Sequence, residues 1–150
     1  MKNIFEKLVT DGIIERINKL SPDSRPVWGE MSVAQMLAHY SVSYELIYED
    51  KHPRPNGFIR FLLRSFVKDS VVNDKPYKKN SRTGPAFLIT DEKEFMSEKE
   101  RLVNYIIRTY ELGAVHFDLK ESHSFGKLSL TEWSNTFYKH LDHHLNQFSV

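Results

Sequence analysis

Two histidines one helical turn apart, His140 and His144, are the residues of this chain best spaced for chemistry. On a helix that advances about 100° per residue, Trp133, Phe137, His144 and Phe148 share an arc of about 60°, with His140 about 20° outside it. Imidazoles on an otherwise apolar face need partners, because an unpaired buried polar group costs about 1–3 kcal/mol. Side chains at i and i+4 can also converge on one ion, the spacing used by the helical H-E-x-x-H metalloprotease signature. Here the residue after the first histidine is Leu141, so the glutamate that would act as general base is missing and peptide hydrolysis is disfavoured. An ion held with an open coordination position takes three protein ligands. His39 is the best third candidate, whereas His52, His116 and His123 fall in expected loops. His143 diverges from the 140/144 pair and is expected to support the site or face solvent. The bland alternative is that these imidazoles are packed, hydrogen-bonded core residues.

The elements that must position these side chains are helical. Ile4, Phe5, Leu8, Ile13, Ile14, Ile17 and Leu20 mark a first helix over about residues 4–20, with Gly12 as a potential interruption. Pro22 and Pro26 then force a turn that ends at Trp28-Gly29. Ser32 with Gln35 fits a capping box opening a second helix to about Asp50, whose apolar stripe includes Val33, Met36, Leu37, Tyr40, Tyr44 and Ile47. His39 lies on the edge of that stripe, beside Met36 and Ser43. Ser43 is thereby a neighbour of His39, and Tyr40 and Trp133 could support the ligands or line a pocket, although aromatic stripes at helical spacing are usually core.

Pro53, Pro55 and Gly57 break the chain before a short helix, Phe58 to Val67, and residues 69–90 read as irregular. Asp91 with Glu94 offers a second capping box, for a long helix ending before Gly113, and Ser129 with Glu132 a third, for the last helix. Residues 114–127 read as a loop folded back on the bundle. No alternating strand pattern is present. The expected class is all-α: one domain over residues 1–150, a four-helix bundle with one added short helix in the long crossover.

Composition narrows the function classes. A net charge of +1 argues against a polyanionic partner such as nucleic acid. From Lys51 to Arg82, however, nine Lys or Arg residues face only two acids, a basic stretch that could receive an anionic substrate or a membrane surface. If Phe61, Leu62 and Phe66 are buried, the surface-helix reading fails. No cysteine is present, so thiolate ligands, disulfides and a cysteine nucleophile are excluded. The first residues lack the apolar run of a signal peptide and no stretch has the length of a membrane span, which makes a cytoplasmic location the default expectation.

Several stretches resemble a bacterial domain family of unknown function within the DinB-like superfamily: residues 21–32, Gln35-Met36-Leu37-Ala38-His39, Phe125-Gly126-Lys127-Leu128, Glu132-Trp133 and residues 139–148. The run His140, His143, His144 and Gln147 carries the family's H-x-x-H-H-x-x-Q pattern. The resemblance implies a DinB-like four-helix bundle with up-down-down-up connectivity. It also implies a divalent metal, nickel or zinc, on His39, His140 and His144. Some members of the superfamily resemble transferases or isomerases that use low-molecular-weight thiols, which implies a small thiol substrate. The basic segment makes an anionic one the expectation, and bundles of this kind often pair through a helix face, so a homodimer is the expected assembly. A non-catalytic binding or stress-associated bundle without metal is the alternative.

Overall fold

The computed structural model describes residues 1–150. Six helices carry the fold: α1 (Lys7–Asn18), α2 (Val33–Tyr48), α3 (Gly57–Phe66), α4 (Lys68–Val72), α5 (Phe95–Phe117) and α6 (Leu130–Gln147). The four long ones, α1, α2, α5 and α6, surround one core, in keeping with the all-α expectation.

Local chemistry explains where the elements begin. The Ser32 and Ser129 hydroxyls accept from the amides of Gln35 and Glu132, whose side chains reach back to the cap amides, so both capping boxes are complete. The box expected at Asp91 does not form. Glu94 is itself the cap, its carboxylate accepting from the amides of Met96 and Ser97, while Asp91 pairs with Lys93. The first helix starts at Lys7 rather than Ile4, because Ile4 is tied by its amide to Ser134 and by its carbonyl to Thr10. Gly12 does not interrupt it.

Three further expectations need correction. The long helix does break at Gly113, as expected, where the backbone leaves the helical range (φ 72°, ψ 169°); what differs is that α5 continues beyond this kink in a last helical turn to Phe117, which carries His116 out of the expected loop. Residues 121–127 form a small hairpin, β1 (Glu121–Ser122) paired antiparallel with β2 (Gly126–Lys127), too short to show as alternation. The segment read as irregular contains α4 and a single 3₁₀ turn at Pro85–Phe87.

The centre of the core is aromatic. Tyr44 stacks on Phe137 and Tyr105 with ring centroids 5.2 and 5.4 Å apart, and the Tyr40 hydroxyl donates to the Phe137 carbonyl at 2.7 Å, which fixes α2 against α6. At the far end of α2, buried Glu45 accepts from Arg101 of α5 and lies 2.8 Å from His52, pinning the exit into the crossover. The crossover is fastened again by Lys139, a lysine only 2% exposed on α6. Its ammonium donates to the carbonyls of Ser70 and Asn73 and to Asn73 Oδ1 at 2.8–2.9 Å, and lies 4.7 Å from the Tyr77 ring. Burial pushes its pKa down to about 8.

If Glu94 rather than Asp91 caps α5, Glu94→Ala will lower the thermal midpoint while Asp91→Ala leaves it within a degree or so, about the scatter expected of an uninvolved surface site. Thermal melts followed by circular dichroism make the comparison.

Candidate metal centre

α2 and α6 cross so that His39 faces His140 and His144. One ring nitrogen from each of the three lies within 4.8 Å of the others. His39 and His144 are buried and His140 is half-buried. The pair flagged by its spacing and the third histidine chosen from α2 are thus brought to one point, 101 residues apart in the chain for His39 and His140.

The outward nitrogens decide which way the lone pairs face. His39 Nδ1 lies 2.8 Å from the Phe87 carbonyl, which can only accept, so Nδ1 carries the proton and Nε2 presents a lone pair inward. His144 Nδ1 lies 2.8 Å from Gln147 Oε1. The Gln147 amide is oriented by its own Nε2, which donates to the Trp28 carbonyl at 2.6 Å, so His144 Nδ1 is also the donor and its Nε2 also points a lone pair inward. His140 is different. Its Nδ1 meets the Ser43 hydroxyl at 3.1 Å, and a hydroxyl can either donate or accept.

Two protonation patterns follow. If Ser43 accepts, three Nε2 lone pairs converge, an arrangement that is repulsive unless a cation sits among them. If Ser43 donates, His140 Nε2 carries a proton and gives it to His39 Nε2, only 3.0 Å away, completing a relay from Ser43 through both rings to Phe87. A tetrahedral ion with bonds of about 2.1 Å needs nitrogens about 3.4 Å apart, so on binding the widest separation would contract by up to about 1.4 Å while the 3.0 Å pair of His39 and His140 opened slightly. The all-nitrogen donor set and the acceptors on the outer nitrogens match what metal-ligating histidines require.

Burial keeps the cluster neutral. It holds His140 well below the usual imidazole range, with His144 and His39 adding to the effect, and it pushes His144 down to about 3. His39 is lowered for the same reason, against the opposing pull of the Phe87 carbonyl. Neutral imidazoles are the metal-binding form.

The other expected neighbours divide. Ser43 and Gln147 hold ligand nitrogens directly. Tyr40 stacks its ring 4.7 Å from His140 and serves as a buried floor. Trp133 is 3% exposed, stacked on Phe137 and bonded to the Lys120 carbonyl, so it belongs to the core and lines no pocket. His143 does not join the cluster: it faces Trp28 and Tyr77 with ring centroids 5.9 and 5.8 Å away. There it lines a cavity of about 190 Å³ with Trp28, Tyr77, Lys79 and Asp142, next door to the three imidazoles.

Four participants were missed by sequence reasoning, three of them because they carry no signal. Phe87 contributes a backbone carbonyl, which carries no side-chain signature, and its ring covers His39 at 5.5 Å. Tyr77 closes over His140 at 6.0 Å, from a stretch without periodicity. Lys139 reads as an ordinary surface lysine. Gly29 had a signal, a glycine closing a proline turn: its φ is +78°, and a Cβ there would stand 2.6 Å from Gln147 Nε2. No protein-family model matches the chain, and neither a curated protein nor a solved structure matches it.

The depressed imidazoles make metal-free stability fall in acid. An unfolded histidine titrates near 6.5 while His144 in the fold holds out until about 3, so between those values the unfolded chain binds more protons and the fold loses stability as pH drops. Each histidine so excluded contributes up to about 1.4 kcal/mol per pH unit. Urea unfolding of chelator-treated protein is expected to show a lower midpoint at about pH 5 than at about pH 7, and a flatter dependence in His144→Gln. A midpoint independent of pH over that range would refute neutral burial of the cluster.

Proposed function

We propose that this chain is a DinB-like metal protein, an up-down-down-up bundle in which His39, His140 and His144 hold one nickel or zinc ion and which acts on a small anionic thiol as a transferase or isomerase. The observation that carries the metal reading is the convergence of three ring nitrogens within 4.8 Å, with the outer nitrogens of His39 and His144 locked as donors. A bound ion would supply Lewis acidity, easing release of the proton of a coordinated thiol or water. The chain's own residues do the rest. Phe87 and Gln147 orient two rings, Tyr40 and Phe87 keep water off them, and half-buried His140 marks the open side. The cationic Lys79, 4.2 Å from the Trp28 ring at the adjoining cavity, favours an anionic substrate. The absence of cysteine means the thiol comes from the substrate.

A second reading is favoured by one distance. The 3.0 Å contact between His39 and His140 is that of a hydrogen bond, and the Ser43 relay satisfies both rings without an ion, as in a non-catalytic binding bundle.

Metal analysis of tag-free protein separates the two. The metal reading expects close to one ion per chain, lost in His144→Ala; negligible metal in the wild type, or content unchanged in the variant, would reject it. Gln147→Leu and Gly29→Ala, which touch no ion, are expected to weaken metal affinity by about 10–100-fold in a chelator competition, because each releases the His144 ring. Activity calls for a screen of thiol substrates with the loaded protein.

A further inference from the structure

α3 is mounted the wrong way round for a surface helix of a monomer. On its wheel Arg60, Arg64 and Lys68 occupy an arc of about 80°, and Phe58, Leu62, Phe66, Ile59 and Leu63 an arc of about 140° on the other side. An amphipathic helix ordinarily turns such an apolar face to the core. Here the charged face is the one fastened to the body: Arg60 pairs with Glu121 of β1, and Lys68 with Glu132 of α6 at 2.7 Å. No residue of α3 is buried. Phe58 is 69% exposed, Ile59 42%, Phe61 61% and Phe66 78%, and Leu62 is only half-buried. The condition that would have ended the surface-helix reading is therefore not met, and the contiguous apolar patch exceeds what scattered surface residues explain.

Charge selects the occupant. A second copy docking through this face under two-fold symmetry would bring like charge together, since the Lys51–Arg82 segment holds nine cations and two acids and only Lys51, Arg60 and Lys68 of the nine are paired with acids outside it. An anionic lipid surface turns the same excess into attraction. Arg64 sits between Arg60 and Lys68 on the inward arc, its guanidinium against Gly126 of β2, whereas Arg54, just before α3, is exposed and in no ion pair, as are Lys75, Lys78 and Arg82 of the same segment. An aromatic-rich apolar face with a basic opposite face is the composition of helices that lie in the bilayer interface. No helix of the protein is long and apolar enough to cross a membrane, so the contact is peripheral. We infer that α3 docks the protein on anionic lipid bilayers, Phe58, Ile59, Leu62 and Phe66 entering the interface and Arg54 meeting the headgroups. This rests on nothing at the histidine cluster.

Vesicle co-sedimentation of the full chain provides the test, with phosphatidylcholine alone and with an equal mixture of phosphatidylcholine and phosphatidylglycerol. Binding is expected on the mixed vesicles only, falling as salt is raised. The double variant Phe58→Ser/Phe66→Ser removes exposed side chains, so it should keep the wild-type melting curve while binding at least about tenfold more weakly. Arg54→Glu should weaken binding in the same direction. The inference is overturned by absence of binding to the mixed vesicles, by equal binding to the neutral ones, or by undiminished binding of the phenylalanine variant. A dimer in analytical ultracentrifugation that Phe58→Ser/Phe66→Ser dissolves, without vesicle binding, would instead assign the face to a second copy.

Discussion

Three imidazoles cannot be placed between two helices unless every ring nitrogen has somewhere to direct its proton or lone pair, and much of this molecule is arranged around that demand. The outward nitrogens recruit groups from far along the chain: the Phe87 carbonyl from the crossover, the Gln147 amide from the end of α6 and, through it, the Trp28 carbonyl from the first turn. These loops are held in place by polar satisfaction as well as by the rings of Phe87 and Trp28, which lie against His39 and His143. Only Ser43 leaves a choice, because its hydroxyl has two roles where a carbonyl has one. The inner nitrogens are thus committed on two rings and adjustable on the third.

The supporting frame is a stack of rings. Tyr44, Phe137 and Tyr105 fill the space between α2, α5 and α6, and the Tyr40 bond to the Phe137 carbonyl sets the height of α2 relative to α6. That height determines whether His39 meets His140 at all. Packing and ligand geometry are consequently one problem: a helix shift of an ångström would leave the aromatic core tolerable but would open the cluster.

Much of this was legible in the sequence where a feature is periodic or has a local signature. Apolar spacing disclosed the four long helices, the Ser32 and Ser129 boxes disclosed two of their starts, and the i, i+4 histidines on an apolar face disclosed a site. The Asp91 box misled because the helix starts three residues later: Glu94, read as the far end of the box, is itself the cap and takes the amides of Met96 and Ser97. The step at Gly113 misled because a glycine that ends one helix can also link two. Phe87, Tyr77 and the inverted mounting of α3 were beyond reach, since each depends on what lies opposite in space. The amphipathic pattern of α3 was plain, but only Glu121 and Glu132, more than 50 residues away, decide which face looks outward.

Lys139 illustrates a further property of the crossover. A buried ammonium would normally demand a carboxylate, which ties two side chains together and makes each intolerant of replacement. Lys139 is in direct contact with no carboxylate: its ammonium is solvated mainly by main-chain oxygens, those of Ser70 and Asn73, and His39 likewise leans on the carbonyl of residue 87. Every amino acid brings that oxygen. The strand of chain lying over the histidines is therefore anchored by its path and not by its spelling, so its side chains can drift through mutation, reshaping what enters the neighbouring cavity, while the imidazoles beneath stay in register.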